Sequence, residues 1–490
     1  MLPLAQARGG VLFLWKPCSK GSDKMYNGIC FTARSDMERI IQTAYAILEQ
    51  VGVCVESREL IEILQETFPS EVTLKSDRLL FSASLSERVF LSGENQCESS
   101  APTASCRCEI YEGYYLDPVD GAYKEWTEDR LLSYFALAKA IGGEESVHML
   151  GCPLQNFPAA LKPLYEKLYC FQYGIGCGGA LWDTALCGPI LEMFSVYADE
   201  VGKPVSQVFS GCIYLLTPLK LGHVEAEQLM WFYHHGVRVG IGILASLGMS
   251  VPVTLAGAIA EHLAEQLFIG IINCALFGDR VFHLSSDLSC ADLRTGMFQY
   301  GRPEQVILNN ALADIARAYR MGFHAHGGLT DAKVPGFEAG VQKMGTAMAN
   351  IFRGHDGYLA GGLLSVDEVC SPVQLVLDRE AANYLKRICA GFPVDQESLA
   401  LETIRECVQE DIMFFGSEHT VLHGREIIWR PEIFSCHMFS DWSQTKRSDV
   451  DFAREKAITL LEEPICSQIS QDCEQRLRNI IIKESKKRGG

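Results

Sequence analysis

From residue 145 onward the chain alternates short apolar segments with helical patterns, and this rhythm restricts the fold more than any other feature of the sequence. The apolar segments are 148–152, 175–181, 212–216, 239–245, 281–284, 322–326 and 358–363. Helical spacing fills the intervals at 157–171, 188–201, 223–235, 254–276, 303–319 and 336–353. Strand–helix alternation every roughly 30 to 40 residues builds βαβ units and a parallel sheet. Seven units in succession predict an α/β fold, a (β/α)8 TIM barrel with an N-terminal α+β extension, rather than an open sheet. No GxGxxG follows an early strand, so a dinucleotide-binding domain has no support. The pattern does not place the eighth strand; closure is expected near 365–415, where helices at 375–390 and 396–409 stand out.

The rest of the chain divides around that barrel. Residues 1–24 read either as a disordered arm or as a stretch ahead of the true start, with Met25 the alternative first residue. Residues 25–144 read as the helical and hairpin extension, 145–460 as the catalytic barrel, and 461–490 as a C-terminal helix with a basic tail. Within the extension, Ile40, Ile41, Ala44, Ile47 and Leu48 recur at helical spacing behind Asp36 as N-cap, Gly52 stops that helix, and Ser57 caps a second. Asn95 to Ser105 is polar and reads as an exposed loop; Tyr115 to Lys124 reads as a hairpin turning at Asp120-Gly121.

A formal charge of −18 argues against nucleic acid, whose affinity rests on Lys and Arg neutralising phosphates, and suits a cationic substrate. No apolar run reaches the roughly 18 residues of a membrane span, and the chain is expected to be cytoplasmic. The 19 cysteines scatter singly, with only Cys106 and Cys108 close together and no CxxC pair. That usage describes small buried hydrophobes in a reducing compartment rather than a zinc ribbon.

A barrel concentrates its chemistry where strands end. The densest such place is Phe323-His324-Ala325-His326 running into Gly327-Gly328-Leu329-Thr330-Asp331-Ala332-Lys333-Val334, with Pro335 opening the next helix. Other strand ends present Thr217-Pro218-Leu219, Ser246-Leu247-Gly248-Met249, and Ser285 to Asp287. The C-terminal segment adds Glu418-His419-Thr420, His423, Arg425 and Trp429. Of His324 and His326 on this strand, His326, nearer the strand end, is the candidate.

The run from Met249 to Ala258, followed by Ala264-Glu265, resembles the trimethylamine methyltransferase family. Four further segments are similar and occur in the same order over residues 36–460: Ile47 to Val53, Asp292 to Gly296 with Pro303-Glu304, Gly327 to Lys333, and Glu418-His419-Thr420 with Trp429-Arg430-Pro431. The resemblance implies a (β/α)8 barrel that moves a methyl group from an amine to the cobalt(I) of a corrinoid carried on a separate partner protein, with no metal of its own. Pyrrolysine-containing members carry that residue in the helix after the Gly-Gly loop. Aligned there, this chain has Glu338, an ordinary residue, which places it with the branch that resembles glycine betaine (quaternary amine):corrinoid methyltransferase. Gly336 departs from the acidic residue the family has just after Pro335.

Chemistry alone points the same way. A quaternary ammonium already has a neutral amine as leaving group, so the protein must hold the cation and align one N–CH3 bond, which is catalysis by positioning. Aromatic faces and carboxylates hold such cations. The candidate catalytic residues are therefore His326, Asp331 and Glu338. Candidate substrate contacts are Phe323, Phe337, Lys333, Trp429 and His419, with Trp442 as a further aromatic. Candidate corrinoid-facing positions are Ser246, Gly248, Gly327 and Gly328; none is assigned to a metal. For a carboxylate tail, Lys333, Arg294 and Arg425 are the available cations. Expected partners are the cognate corrinoid protein and a second copy of the chain. A zinc-dependent barrel using His324, His326, His419 and His423, and a non-catalytic amine-binding barrel, remain the alternatives.

Overall fold

The computed structural model describes residues 31–96, 102–142 and 147–489; the expected N-terminal arm at 1–24 and the tip of the 95–105 loop lie outside them. The chain is a mixed α/β protein built on parallel strand pairs. Strand Gly357–Gly361 pairs parallel with Ala104–Ile110, which pairs with Val147–Met149, which pairs with Gly176–Cys177. A single parallel bridge, Ala180 to Cys212, leads to Cys212–Tyr214, which pairs with Gly240–Gly242. Ala245–Leu247 pairs with Leu288–Asp292, and Leu284–Ser286 with Phe323–Ala325. The last step is a single backbone bond, from the Ala360 N–H to the Gly328 carbonyl at 3.2 Å. The pairs fall into separate short sheets rather than one continuous closed sheet.

The seven apolar segments read from the sequence each contribute a strand, and the helical patterns between them are helices, from Lys162–Tyr173 to Phe337–Phe352. Residues 365–415, where closure is expected, form the short strand Val369–Cys370 of a separate small sheet and helices Pro372–Cys389 and Leu401–Gln409. Ala104–Ile110, in the region read as extension and loop, lies between the first and last of the seven. Its residues alternate: Cys106, Cys108 and Ile110 are buried, while Arg107 is exposed and Glu109 half-buried. Period two with one face toward helices is a strand signature. Cysteine at the buried positions disguised it.

Smaller features of the extension match their residues. The first helix, Arg34–Gln50, begins at Ala33 rather than Asp36, which sits in its first turn. Gly52, at φ +70°, ends it, and the Ser57 side chain caps the next helix by accepting from Leu60 N. Tyr114–Leu116 and Tyr123–Lys124 form the expected hairpin. This hairpin joins Leu363–Leu364 and Val369–Cys370 in a small sheet. Leu116, Leu364 and Val369 from that sheet pack on Ala332 and Ala339, so it roofs the Gly-Gly loop.

Helix Leu255–Phe277 is long and apolar enough to cross a membrane by length and composition, which corrects the sequence reading. Yet 72% of its apolar window is buried within the protein, and Phe268 meets Phe81 at 5.6 Å. It is a core helix. At the C-terminus, helix Asp449–Leu461 packs on Pro372–Cys389 and Gln471–Lys487 packs on Cys187–Val201. Ser470 N donates to Glu200 at 2.7 Å, pinning the terminal helix to the strand–helix body.

Candidate active site

Parallel strands deliver side chains to one mouth, and the residues that converge there are mostly aromatic. His326 follows strand Phe323–Ala325, and its N–H is fixed by the Ser286 carbonyl at 2.8 Å. Its ring stands edge-on to Tyr300, centroids 5.0 Å apart at 79°. Burial pushes the His326 pKa down, with Asp287 opposing and His324 reinforcing, so the imidazole is neutral at pH 7. Tyr300 is buried, and its phenol pKa is pushed up first by burial and then by Asp367, Asp287, Tyr111 and Tyr214. Those four groups therefore lie within electrostatic reach of Tyr300. Tyr214 stacks on Trp182, centroids 5.9 Å apart and nearly parallel, and Trp182 is 63% exposed at the rim. Deeper in, the Tyr358 hydroxyl donates to Glu109, whose carboxyl is pushed up by burial against that bond.

Two carboxylates flank the aromatics. Asp287 accepts from Ser285 Oγ at 2.8 Å. Asp367, on the turn of the roofing sheet, is pushed up to about 6 by burial and then by Glu368. At neutral pH Asp367 can be ionised while His326 is not. Aromatic faces beside carboxylates suit a bound ammonium ion.

Asp331 is placed differently from the expectation. Its two oxygens accept from Tyr300 N at 2.8 Å and Arg302 Nε at 2.7 Å, and its own N–H donates to Gln342 Oε1 at 2.8 Å. It positions Tyr300 rather than facing a substrate. Thr330, fully buried, also donates to Gln342. Lys333 is spent on the Asp331 carbonyl at 2.7 Å. Gly328, at φ +73°, lies where a Cβ would come within 2.3 Å of the Tyr358 carbonyl, and a Cβ on Gly327 would press on Thr346 at 3.3 Å. These glycines let the loop cross the neighbouring strand. Ser246 is buried in a turn closed by Ser250, and Gly248, at φ +79°, backs onto Leu293.

The remaining candidates scatter. Phe337 is 88% exposed and Glu338 is exposed, both in the first turn of helix Phe337–Phe352 at the rim. Phe323 opens its strand and so sits at the opposite end from the mouth, against His355 at 4.8 Å. Trp429 packs on Tyr384 and Phe434, and His419 on His423, in the C-terminal segment outside helix Pro372–Cys389. Trp442 donates to the Arg447 carbonyl. Arg294 pairs with Asp292 at the tip of an exposed hairpin. Sequence reasoning missed Tyr111, Trp182, Tyr214, Tyr300 and Asp367. Tyr111 and Tyr214 stand at strand ends and could have been found there; Tyr300 and Asp367 reach the lumen from loops.

Residues 190–489 match the family model described as trimethylamine methyltransferase (MTTB). The chain belongs to the trimethylamine methyltransferase family. Within that family it is 29% identical over 405 residues to the trimethylamine methyltransferase MttB of Methanosarcina barkeri (strain Fusaro / DSM 804), covering 77% of this chain and 76% of that one. It is 24% identical over 473 residues to the glycine betaine methyltransferase of Desulfitobacterium hafniense (strain Y51), covering 92% and 96%. Among solved structures, the Methanosarcina barkeri monomethylamine methyltransferase (MtmB) aligns over 92% of this chain and 95% of that one at 10% identity, with a TM-score of 0.41.

Proposed function

We propose that this family member transfers a methyl group from a quaternary amine of the glycine betaine type to the cobalt(I) of a corrinoid presented by a separate carrier protein. One observation carries the reading: Tyr111, Tyr214 and Tyr300 gather with neutral His326 around Asp287 and Asp367 at a strand-end mouth. We read the eight parallel segments as staves of one (β/α)8 barrel, with the single bridge at Ala180 and the single bond at Gly328 as its thinnest seams.

The residues' work is to bind and orient. Asp287 and Asp367 supply the counter-charge, the tyrosine faces take the N-methyl groups, and Asp331 holds Tyr300 in place. Cobalt(I), when presented, accepts CH3⁺ as a nucleophile, and the C–N electron pair leaves with a neutral tertiary amine. The protein needs no acid to protonate that leaving group, which agrees with a lumen whose imidazole is neutral. The rim suits a flat macrocycle and its carrier: Trp182, Met249, Leu293, Met297, Val334 and Phe337 are all exposed apolar side chains following strand ends. These residues would hold the corrinoid over the mouth. The pyrrolysine-aligned position, Glu338, is an ordinary exposed residue there, which favours quaternary over tertiary amines as donors.

The test is methylation of chemically reduced cob(I)alamin, followed by its absorbance. Turnover is expected with a betaine and not with trimethylamine. Robust turnover of trimethylamine, or a stoichiometric zinc whose chelation abolishes activity, would refute the reading in favour of the zinc alternative.

A further inference from the structure

The strand pairs break at one point in a way that opens the interior. Among the described residues Gly240–Gly242 pairs only with Cys212–Tyr214, and Leu284–Ser286 only with Phe323–Ala325, although their continuations, Ala245–Leu247 and Leu288–Asp292, pair with each other. The strands splay toward their N-terminal ends, and a cavity of about 770 Å³ fills the gap. Its walls are apolar, with Ile241 and Ile243 on one side, Leu284 on the other and Ile269 from the core helix. Its deep end is Asp287, the same carboxylate that faces Tyr300 and His326.

The outer end is cationic. Of the three guanidiniums that line it, Arg238 is paired with Asp279 and Arg88 with Glu71. Arg280 has no ion pair among the described residues, and His283 lines the same cavity. His283, Ser285 and Asp287 occupy alternate positions along one extended run, four residue steps that span about 13 Å. The cations expected from sequence to meet a substrate carboxylate are engaged elsewhere or stand far outside the lumen: Lys333 on Asp331, Arg294 on Asp292, and Arg425 on an exposed C-terminal helix.

We infer that the cavity houses the tail of the methyl donor, an elongated zwitterion with its trimethylammonium head at Asp287, an apolar spacer along Ile241, Ile269 and Leu284, and its carboxylate met by Arg280 and His283. The inference rests on the quaternary-amine reading above and adds that this enzyme prefers long betaines to compact ones. Binding is measured by calorimetry on the full chain without corrinoid, using three series of increasing methylene length: ω-trimethylammonio carboxylates, alkyltrimethylammonium salts and linear carboxylates. Affinity of the zwitterions should rise about threefold to fourfold per methylene until the cavity is filled, the ~0.8 kcal/mol of burying one CH2. Arg280→Ala should weaken long zwitterions at least tenfold and leave alkyltrimethylammonium salts unchanged. Ile269→Phe, which narrows the cavity, should shift the optimum to shorter spacers. Ammonium compounds that bind with no length dependence, or an Arg280→Ala loss equal for both ammonium series, would overturn this inference alone. Linear carboxylates binding as tightly as zwitterions would overturn it together with the quaternary-amine reading.

Discussion

Removing the Asp331 carboxylate should loosen Tyr300 at a calculable cost. Its bond from Tyr300 N, at 2.8 Å, is charge-assisted and its side chain is only 10% exposed. Such a bond contributes about 1.5–3 kcal/mol. The second partner, Arg302, is 40% exposed, so that pair is screened and adds only about 0.2–1 kcal/mol. Asp331→Ala should therefore destabilise by about 2–4 kcal/mol. A chain of this size has an unfolding entropy near 1 kcal/mol per kelvin, so the midpoint should fall by about 2–4 °C. Asp331→Asn keeps one acceptor for Tyr300 and should lose about half as much. Calorimetric melting gives the stability, and titration with a quaternary ammonium gives the affinity, which should fall more in the Ala than in the Asn variant as Tyr300 leaves its place. A midpoint within about 1 °C of the parent in both variants, with turnover abolished, would refute this reasoning and return Asp331 to direct catalysis.

Asp367 is pushed up to about 6, and a fixed-charge cation favours its ionised form, so affinity for a quaternary ammonium should fall as pH drops through about 6 and Asp367→Asn should remove that dependence; a flat titration in the parent would contradict it. Glu338→Gln should leave affinity unchanged and stability within about 1 kcal/mol, because the residue is an exposed first-turn helix carboxylate, and equilibrium unfolding with the same titration checks both. Glu261 and Glu265, one turn apart in the core helix, are pushed up to about 9 and about 7 by burial and, for Glu261, by its neighbour. Their folded values exceed the unfolded one, so the folded chain holds protons the unfolded chain releases, and stability should decline as pH rises toward about 9. Glu261→Gln should flatten that decline in melts taken across the range.

Much of the alternation was legible because buried parallel strands read as apolar runs and their crossover helices keep a 3.6-residue period. Helix Pro303–Tyr319 falls on the residues its pattern marked. The strand Ala104–Ile110 was not legible, since Ser-Cys-Arg-Cys-Glu puts polar residues on a hydrated interior face and weakly apolar thiols on the other. The site was half legible. Proximity in sequence drew Asp331, Lys333 and Glu338 together, but Asp331 is spent on the Tyr300 N–H and Arg302, Lys333 on the Asp331 carbonyl, and Glu338 is left at the rim. Tyr300 and Asp367 could not be found that way, because a hairpin and a roofing turn carry them in from 26 residues before and 41 after His326. His324 and His326 share strand parity, so parity does not choose between them; His326 stands beside Tyr300 because it lies nearer the strand end.

Calorimetric titration of tetramethylammonium into the parent chain and into Asp287→Asn and Tyr300→Leu probes the aromatic and carboxylate lumen with no corrinoid, carrier or tail involved. Binding to the parent should be saturable and should weaken at least severalfold in each variant, while both variants keep cooperative melting. Equal binding to all three proteins, or no binding to the parent, would contradict that reading of the lumen.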